Sequence, residues 1–135
     1  MAKRIEYIEG IGPSLGAALR DAGVNTVDKL LELACDKKGR AILSDKTQIA
    51  EARLLKWVNM ADLFRIRGVA TQYAELLEGA GVDTVKELQH RNAENLAAKM
   101  NEVNAEKKLV RKTPSVNVVA SWVKQAKSLP TKITH

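Results

Sequence analysis

The sequence predicts an all-α protein: two tandem helical-hairpin repeats and a connecting helix, packed as one compact domain. Three observations carry that prediction. Sliding the chain by 58 positions lays "GIGPSLGAALRDAGVNTVDKL" over "GVATQYAELLEGAGVDTVKEL", matching Gly10 with Gly68, Leu19 with Leu77, Gly23 with Gly81, Thr26 with Thr84 and Leu30 with Leu88. Residues that start and stop helices fall at the same places in both copies. A length of 135 residues, 45% of them hydrophobic and 28% charged, suits a single soluble domain with a real core.

The elements follow in chain order. Pro13 belongs in the first turn of a helix, where it has no N–H to lose, and Ala17, Ala18 and Leu19 continue that helix. Gly23 stops it in a left-handed conformation, and Thr26 caps the next helix. Thr47 is expected to cap "QIAEARLLKWVNMADLF", the helix connecting the copies. In the second copy Gly81 and Thr84 repeat the stop and the cap, "TVKE" has capping-box spacing, and Asn92 caps a helix through "AENLAAKMNEV".

The last helix should begin near Ser115, after Pro114, and end before Pro130. Its apolar residues, among them Val116, Val118, Val119, Ala120, Trp122 and Val123, span an arc of roughly 200°, so it should dock in the core with Lys124 outward. "WVNMA" at Trp57 and "WVKQA" at Trp122 match at an offset of 65, so the second copy holds seven extra residues between Leu88 and Trp122. The repeats divide as 1–63 and 64–135, and the paired tryptophans read as repeated core anchors rather than stacking platforms.

Charge narrows the function. The net charge is +6, and from Lys107 onward the chain carries Lys107, Lys108, Arg111, Lys112, Lys124, Lys127 and Lys132 with no acidic residue, a block that attracts polyanions. The N-terminus lacks the apolar core of a secretory signal and no run reaches a membrane span, so a cytoplasmic location without a membrane partner is expected, with association to the nucleoid as its natural extension. Cys35, His90 and His135 make no believable zinc set, and Cys35 reads as a small core residue. Carboxylates such as Asp21, Asp28, Glu75 and Glu87 read as solvated helix faces rather than a two-metal cluster. No metal, no cofactor and no catalytic residue are therefore expected, and the chain is not expected to be an enzyme.

The "GIG" corner has its own chemistry. Gly10 and Gly12 can take positive φ at little cost, and the free N–H groups of the helix that follows, with its partial positive end, make an anion site. Gly12 and Ser14 would be donors there, with the Ser14 hydroxyl adding a bond.

"IEGIGPSLGAALRDAG" resembles the helix-hairpin-helix motif, and the tandem arrangement with "GVNTVDKLLEL", "ADLFRIRGVATQYAELLEGAGVDTVKELQHRN" and "SWVKQAKSL" is similar to a bacterial family of unknown function. Members of that family are sometimes described as resembling the helix-three-turn-helix part of flap endonucleases. The resemblance implies sequence-independent binding of DNA phosphates at two corners, Gly10, Ile11 and Gly12 in the first copy and Gly68, Val69 and Ala70 in the second. The Val69 N–H would be a phosphate donor. Arg65 and Arg67 before the second corner, with Lys107, Lys108, Arg111 and Lys112, would supply attraction.

Two features depart from the family pattern. Ala70 replaces the second glycine, and its Cβ is expected to disfavour left-handed geometry and to crowd a phosphate. No lysine or arginine follows either corner, where Pro13 and Ser14 or Thr71 and Gln72 stand instead. The expected function is a non-sequence-specific nucleic-acid-binding module for DNA, with RNA open to the same phosphate chemistry and a protein partner in a DNA-processing assembly. The alternative is a protein-interaction adaptor on a degenerate helix-hairpin-helix scaffold.

Overall fold

Helix-capping chemistry builds both copies in the same way. In the computed structural model, which describes residues 3–135, a 3-10 turn at Ile5–Tyr7 leads through Gly10 into α1 (Pro13–Asp21) and α2 (Val27–Ala34). Then come α3 (Lys37–Thr47), α4 (Glu51–Leu63), α5 (Thr71–Gly79), α6 (Val85–Gln89), α7 (Ala93–Lys107) and α8 (Val116–Ser128). The structure is all-α. No strand forms among the described residues, and a single isolated bridge joins Arg4 to Thr26. No helix among them is long and apolar enough to cross a membrane.

Side-chain oxygens satisfy the first free N–H groups of most helices. Thr26 accepts from the Lys29 N–H at 3.1 Å and Thr84 from that of Glu87 at 3.2 Å, at equivalent positions of the two copies. Asp36, Asn92 and Ser115 do the same for α3, α7 and α8. Glu87 does not close a capping box; its carboxylate accepts from Arg91 instead, at 2.9 Å.

At the other end of the hairpins, Gly23 and Gly81 both stand at φ +92°. The N–H groups of Val24 and Val82 reach back to Leu19 and Leu77, and those of Gly23 and Gly81 to Arg20 and Glu78, so both helices end in the same two-bond stop.

Two further expectations change. Thr47 is the last residue of α3, a helix not anticipated; its hydroxyl bonds to the Leu43 carbonyl at 2.8 Å and accepts from the Ile49 N–H, so it closes one helix rather than opening the next. On α8, Val119, Trp122, Val123 and Ala126 are buried, whereas Val116 and Val118 are each 43% exposed and Ala120 is exposed too. The buried stripe is narrower than the apolar stripe. Lys124 does point outward.

The chain divides into two compact units. One runs to Asp62 and takes in Lys132–His135; the other is Leu63–Thr131. In the first, α2 packs on α3, and buried Arg40 donates to the Ala34 carbonyl at 2.9 Å and to that of Thr134 at 2.7 Å, holding the C-terminal residues. In the second, α8 packs on α6 and α7, and α5 packs on α7. The extra residues of the second copy are spent on a longer α7 and on the loop 108–115 before α8.

The corners are turns of one design. The Ile11 N–H bonds to the Ile8 carbonyl and the Val69 N–H to that of Ile66, both at 3.2 Å, with Gly10 at φ +95° and Gly68 at φ +96° in the third position, as a type II turn requires. Against each glycine lies an indole. A Cβ on Gly10 would stand 3.5 Å from Trp57 Nε1, and one on Gly68 only 3.1 Å from Trp122 Nε1. Both tryptophans are buried, at 3% and 2% exposure.

Gly12, by contrast, has φ −89° and ψ −171°, an extended conformation open to any residue, and Ala70 has nearly the same angles at φ −92° and ψ 177°. Positive φ is confined to Gly10 and Gly68 in the corners.

Gly68→Ala is therefore expected to destabilise by about 1–3 kcal/mol, from strained φ and the indole behind it, whereas Gly12→Ala stays within about 0.5 kcal/mol. Urea melts of the two variants make the comparison. The Thr71 hydroxyl is buried with no hydrogen-bond partner, so Thr71→Val should stabilise by about 1 kcal/mol in the same assay.

Candidate nucleic-acid interface

A helix that starts in solvent leaves the N–H groups of its first turn unbonded. At the first corner the earliest intrahelical bond runs from the Gly16 N–H to the Gly12 carbonyl, which leaves the N–H groups of Gly12, Ser14 and Leu15 without an acceptor among the described residues, Pro13 having none to offer. At the second corner the first bond runs from Ala74 to Ala70, leaving those of Ala70, Thr71, Gln72 and Tyr73. The second helix start therefore offers one more donor, because Thr71 stands where the first copy has proline.

The middle residue of each corner faces inward. Ile11 and Val69 are buried at 4% and 5% exposure, and the Val69 N–H is already bonded to Ile66. Val69 is thus not a phosphate donor; the turn itself consumes that hydrogen. Gly10, Gly12, Ser14, Gly68 and Ala70 are all exposed.

Ala70 does not obstruct the second corner. Its backbone is extended, so its Cβ meets no conformational penalty, and its methyl forms part of a groove wall. The expectation that this residue demands left-handed geometry is corrected by its φ of −92°.

The charges around the two corners differ: carboxylates stand among the cations at the first and are replaced at the second. Beside the first, Glu9 is exposed in the turn, and the Glu6 carboxylate lies against Gly16, paired with the Arg20 guanidinium. The hydrogen bonds from Arg20 hold the Glu6 carboxyl below its ordinary range, so it stays ionised near α1. At the second corner the residues equivalent to Glu6 and Glu9 are Phe64 and Arg67. Arg67 is exposed, and its backbone is gripped from both sides by Gln125, whose Oε1 accepts from the Arg67 N–H at 2.9 Å while its Nε2 donates to the carbonyl at 3.2 Å.

The basic stretch meets the second corner. An open groove of about 710 Å³ is lined on one side by Ala70, Gln72 and Tyr73 at the start of α5 and on the other by the loop 108–112, with Lys108, Arg111 and Lys112. The loop is held in place. Lys108 ends α7 in the left-handed region at φ 52°, and the Asn104 side chain brackets Val110, donating to its carbonyl at 3.0 Å and accepting from its N–H at 2.9 Å. The Tyr73 hydroxyl reaches the Lys112 carbonyl at 3.4 Å, and its ring packs 5.5 Å from that of Trp122.

Two of the expected cations lie elsewhere. Arg65 is half-buried and donates to the Pro130 carbonyl at 2.7 Å, closing the end of α8. Lys107 lies along Gly79, its Nζ 3.8 Å from where a Cβ on that glycine would stand, at the far end of α5 and about 13 Å of helix from Ala70. Gln72, Tyr73, Leu109 and Val110 line the groove as well, and none of them carries a charge that marks it in the sequence. The Asn104 bracket that positions the loop leaves no pattern in sequence.

Among the described residues no group of three or more His, Cys, Asp or Glu side chains is arranged to hold a metal ion. No curated protein and no solved structure matches the chain. Residues 9–129 match the family described as Domain of unknown function (DUF4332), and with nearly its whole length covered, the chain belongs to that family.

Proposed function

We propose that this chain is a non-sequence-specific nucleic-acid-binding module that grips sugar-phosphate chiefly at its second corner. The observation that carries the proposal is the groove that Ala70, Gln72 and Tyr73 at the start of α5 share with Lys108, Arg111 and Lys112. Helix-start amides suit a phosphate oxygen at short range, and the three cations supply the longer-range attraction that releases counterions. In this proposal the two glycine corners are helix-hairpin-helix elements related to the helix-three-turn-helix of flap endonucleases. Their common backbone angles and common tryptophan support that assignment.

The first corner is the weaker partner, because its helix start offers one N–H donor fewer and Glu9 is exposed in its turn. The module binds DNA or RNA without cleaving it, and its cytoplasmic or nucleoid setting follows from that ligand.

A second reading, the protein-interaction adaptor, is favoured by one observation. Leu33 and Ile42, 38% and 48% exposed, border a small hollow of about 110 Å³ on α2 and α3. Its mark is a partner retained after nuclease digestion and lost with Ile42→Glu.

Fluorescence anisotropy against short DNA at several salt concentrations tests the first reading. Arg111→Ala with Lys112→Ala should weaken binding to all sequences alike and flatten the plot of log K against log salt by about 2, whereas Lys38→Ala on α3 should leave the slope unchanged within error. Ala70→Gly should not improve affinity. Salt-insensitive binding, or none at low salt, overturns the proposal.

A further inference from the structure

Resting on that reading, we infer that the α5 groove takes an unpaired nucleotide, its base against the groove wall and its phosphate on the cations, so that the ligand is single-stranded or frayed nucleic acid rather than continuous duplex. Three features carry the inference. The first is shape. A concave site of about 710 Å³ is in the range that encloses a small organic group, whereas the convex backbone of a duplex is contacted from outside and brings no base into such a cleft.

The second is the composition of the wall. Tyr73, Leu109 and Val110 are half-buried and line the same groove as Lys108, Arg111 and Lys112. A site for phosphate alone has no use for apolar surface beside its cations. An aromatic base attached to a phosphate uses both, and stacking or apolar contact is the general means by which unpaired bases are held without sequence preference.

The third is preorganisation. Both walls are fixed before any ligand arrives: Asn104 brackets Val110, and Tyr73 is held between the Lys112 carbonyl and the Trp122 ring. A wall already ordered loses little entropy on binding.

The first copy supplies the control. Its residue equivalent to Tyr73 is Leu15 and it has no counterpart of the basic loop, so the same hairpin folds with leucine in that place. Tyr73→Leu therefore removes the ring while keeping an aliphatic side chain the scaffold accepts. Leu109→Ser changes the opposite wall without touching a cation.

The experiment is an anisotropy titration of the full chain with a fluorescein-labelled 12-nucleotide mixed-sequence single strand and with the same strand in a blunt duplex, at one low and one higher salt concentration. Circular dichroism of each variant serves as the folding check. The single strand should bind roughly tenfold more tightly than the duplex, the scale of about one base contact. Tyr73→Leu and Leu109→Ser should each weaken single-strand binding more than duplex binding, erasing most of that preference. Equal affinities, a duplex preference, or folded variants that keep the preference overturn this inference and leave phosphate binding standing. Loss of salt-dependent binding to both ligands overturns the reading beneath it.

Discussion

Each corner depends on a glycine with positive φ covered by the indole of a tryptophan that arrives from far along the chain, Trp57 over Gly10 and Trp122 over Gly68. Placing glycine at such a turn costs about 1 kcal/mol in chain entropy relative to a residue with a side chain. Burying an indole removes roughly 200 Å² from water, about 5 kcal/mol at 25 cal/mol/Å² and an upper estimate, since unfolded chains already bury part of their surface. The tryptophan term wins by several-fold. At Gly68 the absent Cβ lets the ring approach closely, whereas at Gly10 a Cβ would stand at ordinary contact distance and the positive φ alone selects glycine. With the corner locked, the helix behind it starts in one direction and its unbonded N–H groups point to one place.

The two copies use that lock to different ends. Around Gly10 the chain places Glu9, exposed in the turn, and Glu6, ion-paired with Arg20. Around Gly68 it places Arg67, replaces proline by Thr71 and gains a donor, and inserts the residues that become the basic loop. Duplication with divergence leaves one hairpin as scaffold and the other as the binding element in the reading proposed here. Ala70 shows how little the corner's second position matters to the backbone. The extended conformation there accepts a methyl as readily as a hydrogen.

Cations do not act through proximity in sequence. Arg65 stands three residues before Gly68, yet its guanidinium closes the carbonyl end of α8, and Lys107, adjacent to Lys108, follows the last turn of α7 toward the opposite end of α5. The left-handed Lys108 is the point at which the chain leaves the helix and sends Arg111 and Lys112 to the groove. One residue's backbone conformation thus separates the neighbouring Lys107 from the cations that line the groove.

The sequence by itself determined the all-α class, the internal repeat, the helix stops at Gly23 and Gly81, the caps at Thr26, Thr84, Asn92 and Ser115, and the tryptophans as core anchors, because each depends on local backbone chemistry or a visible period. It did not reveal α3, whose sequence "KKGRAILSDKT" has little apolar stripe, and it placed Thr47 at the start of a helix when the hydroxyl serves the end of one. Only the tertiary structure decided that Val116 and Val118 remain exposed, and that Lys108, Arg111 and Lys112 meet the start of α5 while Arg65 and Lys107 do not. The placement of the cations depends on the bonds of Arg65 with Pro130 and Tyr73 with Lys112, between residues distant in the chain, and on the side-chain bracket of Asn104 on Val110, and no local propensity records where such partners come to rest.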